Sequence, residues 1–277
     1  MLQLVVTVLA DDVELASDAL WGLGVVAVEE RDSGEGFVEL WTSLGDDAVD
    51  SDVVLPEVWP FRFVEVDAAV ADTWRQFAEP VWVEADFVVC PAWVPFEAPA
   101  GVTVVRIEPG ATFGLGDHPT TIMSLRAVRR LVHPGSSVLD VGCGSGVLAI
   151  GACVLGARAA VAIDIAPAAV PITVANALAN GVAAHVDVST TDLADVEGTY
   201  DLVCANILAP TLVALAGDLQ RVLNDGGALV ISGILTAAHE HVLEALAPLR
   251  IVATDELDGW SAITLCRVTP RQLRVEE

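Results

Sequence analysis

The segment VLDVGCGSGVLAI, Val138 to Ile150, constrains the fold more than any other stretch of the chain. An apolar strand runs into Gly142, Gly144 and Gly146 and then into an apolar helix. Glycines there permit a tight turn and a close approach of backbone to ligand, and the helix start offers free amides. From Val102 onward VVRI, SVLDV, AAVAID, YDLVCAN and GALVISG alternate with Ala- and Leu-rich helical windows. That alternation predicts an α/β domain with a doubly wound, mostly parallel sheet. Right-handed crossovers set the carboxyl ends of its strands along one edge, where ligands bind in such sheets. The last strands are expected at 250–254 and 261–268, with a polar tail after Pro270.

The beginning of the chain reads differently. Residues 2–9 are strand-like, and 11–22 carry acidic and apolar residues at helical spacing up to Gly22 and Gly24. Residues 25–31 and 36–41 alternate as strands about the turn Asp32 to Gly36. A second short helix and strand fit between Asp46 and Val66, completing a small ferredoxin-like α+β domain over 1–66. Residues 67–100 interleave Trp74, Trp82 and Trp93 with Pro80, Pro91, Pro95 and Pro99, which predicts a linker anchored by its aromatics. The α/β domain then occupies 101–277.

Charge narrows the function classes. Thirteen basic residues, all arginine, stand against 39 acidic ones, for a formal net charge of -26. Such a chain repels phosphate backbones unless a basic patch intervenes, and only Arg126, Arg129 and Arg130 cluster. No direct nucleic-acid readout is expected, whereas a basic protein partner would be drawn to this surface; acidity also serves solubility or a high-salt habitat. No apolar stretch reaches the roughly 18 residues of a membrane helix, so no membrane association is expected. The cysteines are odd in number and form no CxxC pair, and MLQLVVTVLADD lacks a basic leader, so a cytoplasmic, monomeric protein is expected.

The glycine turn has the spacing GxGxG behind Asp140, whereas a dinucleotide fingerprint would want Gly or Ala at Val147. An acid there is unwelcome beside a pyrophosphate and suits the ammonium of an amino-acid-bearing cofactor such as S-adenosylmethionine. Asp164 ends the next strand in AIDIAP, where a carboxylate can accept both hydroxyls of an adenosine ribose; a helix cap is the structural alternative. Asp192 in VSTTDLAD could face the adenine, although capping is its expected job. Asn206 in NILAP stands at the tip of the fourth strand, where its side chain and the carbonyl of Ile207 can accept the N–H of an attacking amine; a helix N-cap is again the alternative. Enzymes that methylate base amines commonly follow such a residue with two prolines and an aromatic. Here Ile207, Leu208 and Ala209 offer no stacking platform.

The segment PGATFGLGDHPTT, Pro109 to Thr121, is rich in Gly, Pro and hydroxyls and should fold over the cofactor as a lid, with Thr120 and Thr121 starting the next helix. His239 and His241 flank Glu240 without zinc-protease spacing and read as an exposed helix face, so no metal is expected.

Taken in order, PGATFGLGDHPTT, DVGCGSG, IDI, ANILA and SGIL (Ser232 to Leu235) resemble the signature of the ribosomal protein L11 methyltransferases of the PrmA type. The likeness covers 74–265 by motif and the N-terminal domain by architecture. It implies a class I, seven-stranded methyltransferase domain that takes S-adenosylmethionine and releases S-adenosylhomocysteine. The implied substrate is a basic protein of the large ribosomal subunit, recognised by the small N-terminal domain and methylated on lysine side chains and the N-terminal amine. Lysines of another protein, or a small amine, are the alternative. By matched position Thr121, Gly142, Asp164 and Asn206 are implied cofactor contacts, with Gly144, Phe113 and Leu115 as further candidates and Asn206 as the catalytic residue. The family usually carries a small hydroxyl residue where this chain has Leu115 or Asp117. Trp260 matches an aromatic common near the family's C-terminus, and its plain reading is core.

Methyl transfer to lysine needs the amine unprotonated, a form on the order of one in a thousand at neutral pH given a pKa near 10.4. Desolvation and an adjacent sulfonium lower that pKa, and His118 or Asp117 could relay the proton through water. The alternative for His118 is a brace of the loop.

Overall fold

Leu4, Val6 and Val8 alternate along the first strand, β1 (Leu2–Leu9), and all three are buried, as are Ala16 and Leu20 of the helix that follows, α1 (Val13–Gly22). The period of two on the strand and of four on the helix brings these faces together. This is a computed structural model, and it describes residues 2–23, 25, 28–34, 36–42, 53–56, 58–65, 73–110 and 112–267. Three further strands, β2 (Val28–Gly34), β3 (Phe37–Thr42) and β4 (Phe61–Glu65), join β1 in an antiparallel sheet of order β2-β3-β1-β4. That order is the ferredoxin-like one. The β2–β3 turn closes with Asp32 Oδ1 accepting from the Gly34 amide at 2.8 Å, an Asx turn with Gly34 at φ +78°. The helix expected after Asp46 lies outside the described residues.

Contacts divide the chain into Met1–Ala78 with Ala111–Phe113, and Glu79–Gly110 with Gly114–Glu277. The expected linker is therefore corrected in part. Val81–Glu84 (β5) and Phe87–Pro91 (β6) form a hairpin, and β6 pairs in parallel with β7 (Thr103–Ile107), so VVRI belongs to this small sheet and not to the main one. Every residue of β6 is buried. The strand signal of FVVC was outweighed in sequence by the flanking Trp and Pro residues, of which Trp82 stays half exposed, edge-on to Phe96 at 6.2 Å.

The main sheet holds β8 (Ser137–Val141), β9 (Ala159–Ile163), β10 (Val186–Ser189), β11 (Tyr200–Asn206), β12 (Leu223–Leu235), β13 (Arg250–Leu257) and β14 (Trp260–Cys266), in the order β10-β9-β8-β11-β12-β14-β13. Pairs from β10 to β12 are parallel, and β14 runs antiparallel to both its neighbours. Helices cover both faces. Side chains of α2 (Pro119–Leu131), α3 (Val147–Val154) and α4 (Ala169–Ala179) pack with Val138, Ala160, Ala162, Leu202 and Cys204. On the opposite face α5 (Ala209–Arg221) and α6 (Glu240–Ala245) pack with Leu139, Val203, Leu229 and Ile231. α3 is buried from Val147 to Cys153, which explains its apolar character all round.

The three clustered arginines all lie on α2 and face acids or carbonyls: Arg126 donates to Val83 O at 2.9 Å, Arg129 pairs with Asp86 and Arg130 with Asp255. The five cysteines are free, and four of them are buried. Among the described residues no helix is long and apolar enough to cross a membrane.

Candidate functional site

Strand order reverses between β8 and β11: the chain proceeds from β8 outward through β9 and β10, then returns to β11 and moves the other way. Loops at such a switch point diverge and leave a crevice at the carboxyl ends of the strands. The glycine turn follows β8 and Asn206 ends β11, so the two strongest sequence signals border that crevice.

The turn is built from glycines in the left-handed region. Gly142 has φ +72°, and a Cβ there would stand 2.4 Å from Ile207 Cγ2; Gly146, at φ +79°, caps α3 and would meet Thr173 Cγ2 at 2.6 Å. A side chain at either position would collide with its neighbour and strain the backbone. The amides of Gly142 and Cys143 both donate to Ile163 O, at 2.9 and 3.0 Å, which ties the turn to the end of β9. One residue later Asp164 completes the tie, Oδ2 accepting from the Gly144 amide at 2.8 Å and Oδ1 from the Ala166 amide at 2.9 Å. Its carboxylate is half-buried and retains lone pairs for further donors. The N-cap of α4 is Ala168, so Asp164 ties the turn before that helix without capping it.

Asp140 departs from expectation. Strand alternation points residues 138 and 140 to the face covered by α3, and Asp140 is fully buried beneath the turn, Oδ2 accepting from the Ala149 amide at 3.0 Å. It braces the helix start and does not reach the crevice to meet an ammonium. Its Oδ1 is buried without a partner, and desolvation pushes the carboxyl up to about 7. A carboxyl whose pKa is raised by folding adds stability that is complete below its ordinary value near 4 and fades as pH rises through about 7. Asp140→Asn should abolish that portion of the pH dependence. Urea midpoints measured from pH 4 to 8 would run parallel for the two proteins if the burial had no such consequence.

Asn206 caps nothing. The N-cap of α5 is Leu208, with Pro210 in the first turn, so the capping alternative falls away. The Asn206 side chain instead donates to Thr121 Oγ1 at 3.5 Å, joining the end of β11 to the first turn of α2, where Thr121 is buried. Thr121, Gly142 and Asn206 therefore converge, Gly142 through its contact with Ile207. α2 begins at Pro119, and His118 is its N-cap: Nδ1 accepts from the Thr120 amide at 3.3 Å and shares a 2.7 Å hydrogen bond with Thr120 Oγ1. Because an amide can only donate, Nδ1 carries no proton and the neutral ring is protonated at Nε2. Burial lowers the pKa of His118. The bracing reading of His118 is met, and a ring so committed has no free nitrogen to take a proton from an amine.

The lid segment is anchored on the glycine turn. Ser145 Oγ donates to Gly114 O at 2.7 Å, and a Cβ on Gly116 would meet Val89 Cγ1 at 2.6 Å, so Leu115 is held between two glycines that pack closely. Phe113 is 41% exposed and lies in the stretch that groups with the N-terminal unit. Asp192 caps the turn Leu193–Asp195, Oδ1 accepting from the Ala194 amide at 3.0 Å, which is its expected job. His239 is the N-cap residue of α6 and His241 lies in its first turn.

Sequence reasoning missed the buttress formed by α4. Asn180 Oδ1 accepts from the Arg106 amide and its Nδ2 donates to Arg106 O, while Asn176 does the same with Glu108, at 2.7 to 2.9 Å. Two side-chain amides four residues apart thus imitate a neighbouring strand along β7 and its extension. Asn176 also donates to Ser145 O at 2.9 Å, and Thr173 Oγ1 to Gly144 O at 3.1 Å. The available signal was NALAN, two amides on one face of an apolar helix. Gly233 was also missed as a working residue: at φ +82° a Cβ would stand 2.5 Å from Ile207 O and 2.9 Å from Ile207 C. The motif SGIL is therefore the floor on which ANILA rests.

The strand order and the glycine turn at the switch point define a class I methyltransferase fold, with a small antiparallel domain before it. The family model for "Ribosomal protein L11 methyltransferase (PrmA)" matches residues 62–267. The chain belongs to that family. It is 43% identical over 200 residues to a ribosomal protein L11 methyltransferase of a Geobacter species, which covers 70% of this chain and 65% of that one. It is equally identical over 205 residues to the one of Symbiobacterium thermophilum, covering 73% of this chain and 67% of that one. These alignments span about two thirds of each relative. A solved structure of a ribosomal protein L11 methylase from Lactobacillus delbrueckii subsp. bulgaricus superposes with a TM-score of 0.65 at 31% identity, covering 69% of this chain and all of that one.

Proposed function

We propose that this chain transfers methyl groups from S-adenosylmethionine to amino groups of ribosomal protein L11, at lysine side chains and the N-terminal amine, in the cytoplasm. The observation that carries the reading is the meeting of Asn206 with Thr121 beside the Gly142 turn, which sets an amide acceptor next to a turn stripped of side chains. The donor set fits an adenosyl amino acid. Asp164, half exposed at the tip of β9, offers lone pairs to ribose hydroxyls, and the backbone of Gly142 and Gly144, both with positive φ and no side chain, faces the amino-acid portion. Thr121 and Leu115 are further cofactor contacts by their matched positions. When bound, the cofactor supplies an electrophilic methyl on a sulfonium, whose carbon–sulfur bond breaks as an in-line nucleophile arrives.

The protein's own contribution is orientation and exclusion of water. The side-chain carbonyl of Asn206 and the backbone carbonyl of Ile207 accept the N–H groups of the incoming amine and aim its lone pair. Since Nδ1 of His118 is occupied, the amine loses its proton to water. The small N-terminal domain serves to recognise the basic substrate, in keeping with the chain's net charge of -26.

Purified ribosomal subunits incubated with labelled S-adenosylmethionine test the activity: label is expected in L11, and an unlabelled L11 would defeat the substrate assignment. A separate titration tests the cofactor site. Asp164→Ala is expected to raise the dissociation constant for S-adenosylmethionine at least about tenfold, roughly 1.4 kcal/mol; an unchanged constant counts against the ribose role.

A further inference from the structure

One side of α4 is polar although it is turned inward. Thr173 and Asn176 are buried, and Asn180 is the C-cap, so the three follow one another at about one helical turn. The orientation of each Asn side chain is fixed by its partners, because a backbone amide only donates and a carbonyl only accepts. Asn180 takes the Arg106 amide on Oδ1 at 2.8 Å and donates to Arg106 O at 2.7 Å; its other N–H returns to Asn176 O at 2.8 Å. Asn176 brackets Glu108 in the same way, at 2.9 Å each, but its other N–H reaches Ser145 O at 2.9 Å. The two side chains differ in that third bond: one ends within its own helix, the other on the glycine turn.

Thr173 Oγ1 donates to Gly144 O at 3.1 Å, so α4 holds two consecutive carbonyls of the turn, those of Gly144 and Ser145. Ser145 stands between Gly144 at φ +52° and Gly146 at φ +79°, and glycine gives up more backbone freedom on ordering than any other residue. A trans peptide sets its N–H opposite its C=O, so fixing these carbonyls on the helix also fixes the direction of the Ser145 and Gly146 amides. The Gly146 amide closes on Cys143 O at 2.8 Å. Glu108, held by the same Asn176 side chain, is where the PGATFGLG segment begins, and Ser145 Oγ holds that segment again by donating to Gly114 O at 2.7 Å. A single side-chain amide thus joins the root of this segment to the turn.

We propose that Asn176, together with Thr173, is a positioning residue that presets the peptide planes of the glycine turn, and the root of the segment beside it, for S-adenosylmethionine. This rests on the proposed function. Asn176→Ala, and Thr173→Val, which keeps the shape of the side chain, are each expected to raise the dissociation constant for S-adenosylmethionine about tenfold, as for the loss of a hydrogen bond that orders the turn. KM for the cofactor should rise in step, with kcat at saturating cofactor within about threefold of wild type. Asn180→Ala is the comparison: it too removes three hydrogen bonds and should lower the melting temperature as Asn176→Ala does, yet leave the dissociation constant unchanged. Calorimetric titration and thermal melts of the full chain read both quantities without turnover. Should Asn176→Ala not fold, Thr173→Val decides the matter. Cofactor affinity unchanged in Asn176→Ala and Thr173→Val, or weakened equally in Asn180→Ala, would overturn the positioning role and leave the activity standing. A wild type that binds no S-adenosylmethionine would overturn the proposed function and this role together.

Discussion

Gly233→Ala should lower kcat/KM for methyl transfer by about a hundredfold or more, although the residue touches no reacting atom. At φ +82° alanine is strained by about 1 kcal/mol or more, and its methyl would lie 2.5 Å from the carbonyl oxygen of Ile207 and 3.1 Å from its nitrogen. Both obstacles are backbone, so neither can swing aside as a side chain would. Relief requires the 206–208 segment to move. Ile207 is bound to Ser232 O at 3.2 Å and packs over Gly142, so displacement of Ile207 carries the Asn206 amide away from the cofactor turn. A misplacement near 1 Å at a reacting group is enough for an effect on the order of a hundredfold. Single-turnover rates at saturating cofactor would measure it, and a rate within a few-fold of wild type would show that the NILA segment tolerates the shift.

Asn206→Ala is the complementary case. Here the backbone stays in place and the acceptor alone is lost, so methyl transfer should fall by about a hundredfold to a thousandfold, the range seen when one preorganised polar contact is removed from a transition state. Cofactor affinity should change by only a few-fold, because the contacts proposed for Asp164 and the glycine turn remain. The contrast with Asp164→Ala, which weakens binding first, separates the two ends of the crevice. Loss of affinity equal to the loss of rate in Asn206→Ala would assign the residue to cofactor binding alone.

The outcome for individual residues shows what could be read without coordinates. Gly142 and Gly146 were legible because glycine between an apolar strand and an apolar helix has few other uses, and the φ values and Cβ contacts bear that out. Asp140 stands next to the same glycines and was misread. Its sequence neighbours announce a binding turn, but the alternation of the strand sends its carboxyl to the α3 face, where it is fully buried and accepts the Ala149 amide. Strands β5 and β6 fell within the expected linker and β7 within the main sheet for a similar reason: local composition is a poor guide where pairing partners come from 16 residues away, as Phe87 and Thr103 do. Asn176 offered only the spacing of NALAN and Gly233 no local hint of its role, since each acts on backbone that is remote in sequence.

Taken by itself, the amino-acid order determined the alternation of strands and helices, the position of the glycine turn, the acid at the end of the following strand and the family to which these motifs point. Those are matters of short-range periodicity and of residues with few alternative uses. Only the tertiary structure decided which carboxylate is buried, that His118 is a cap with its Nδ1 committed, that Asn206 meets Thr121, and that SGIL supports ANILA. Each of these depends on which strands lie side by side and on the direction of a side chain at their ends. A change of one residue in register reverses that direction, so local sequence cannot carry it.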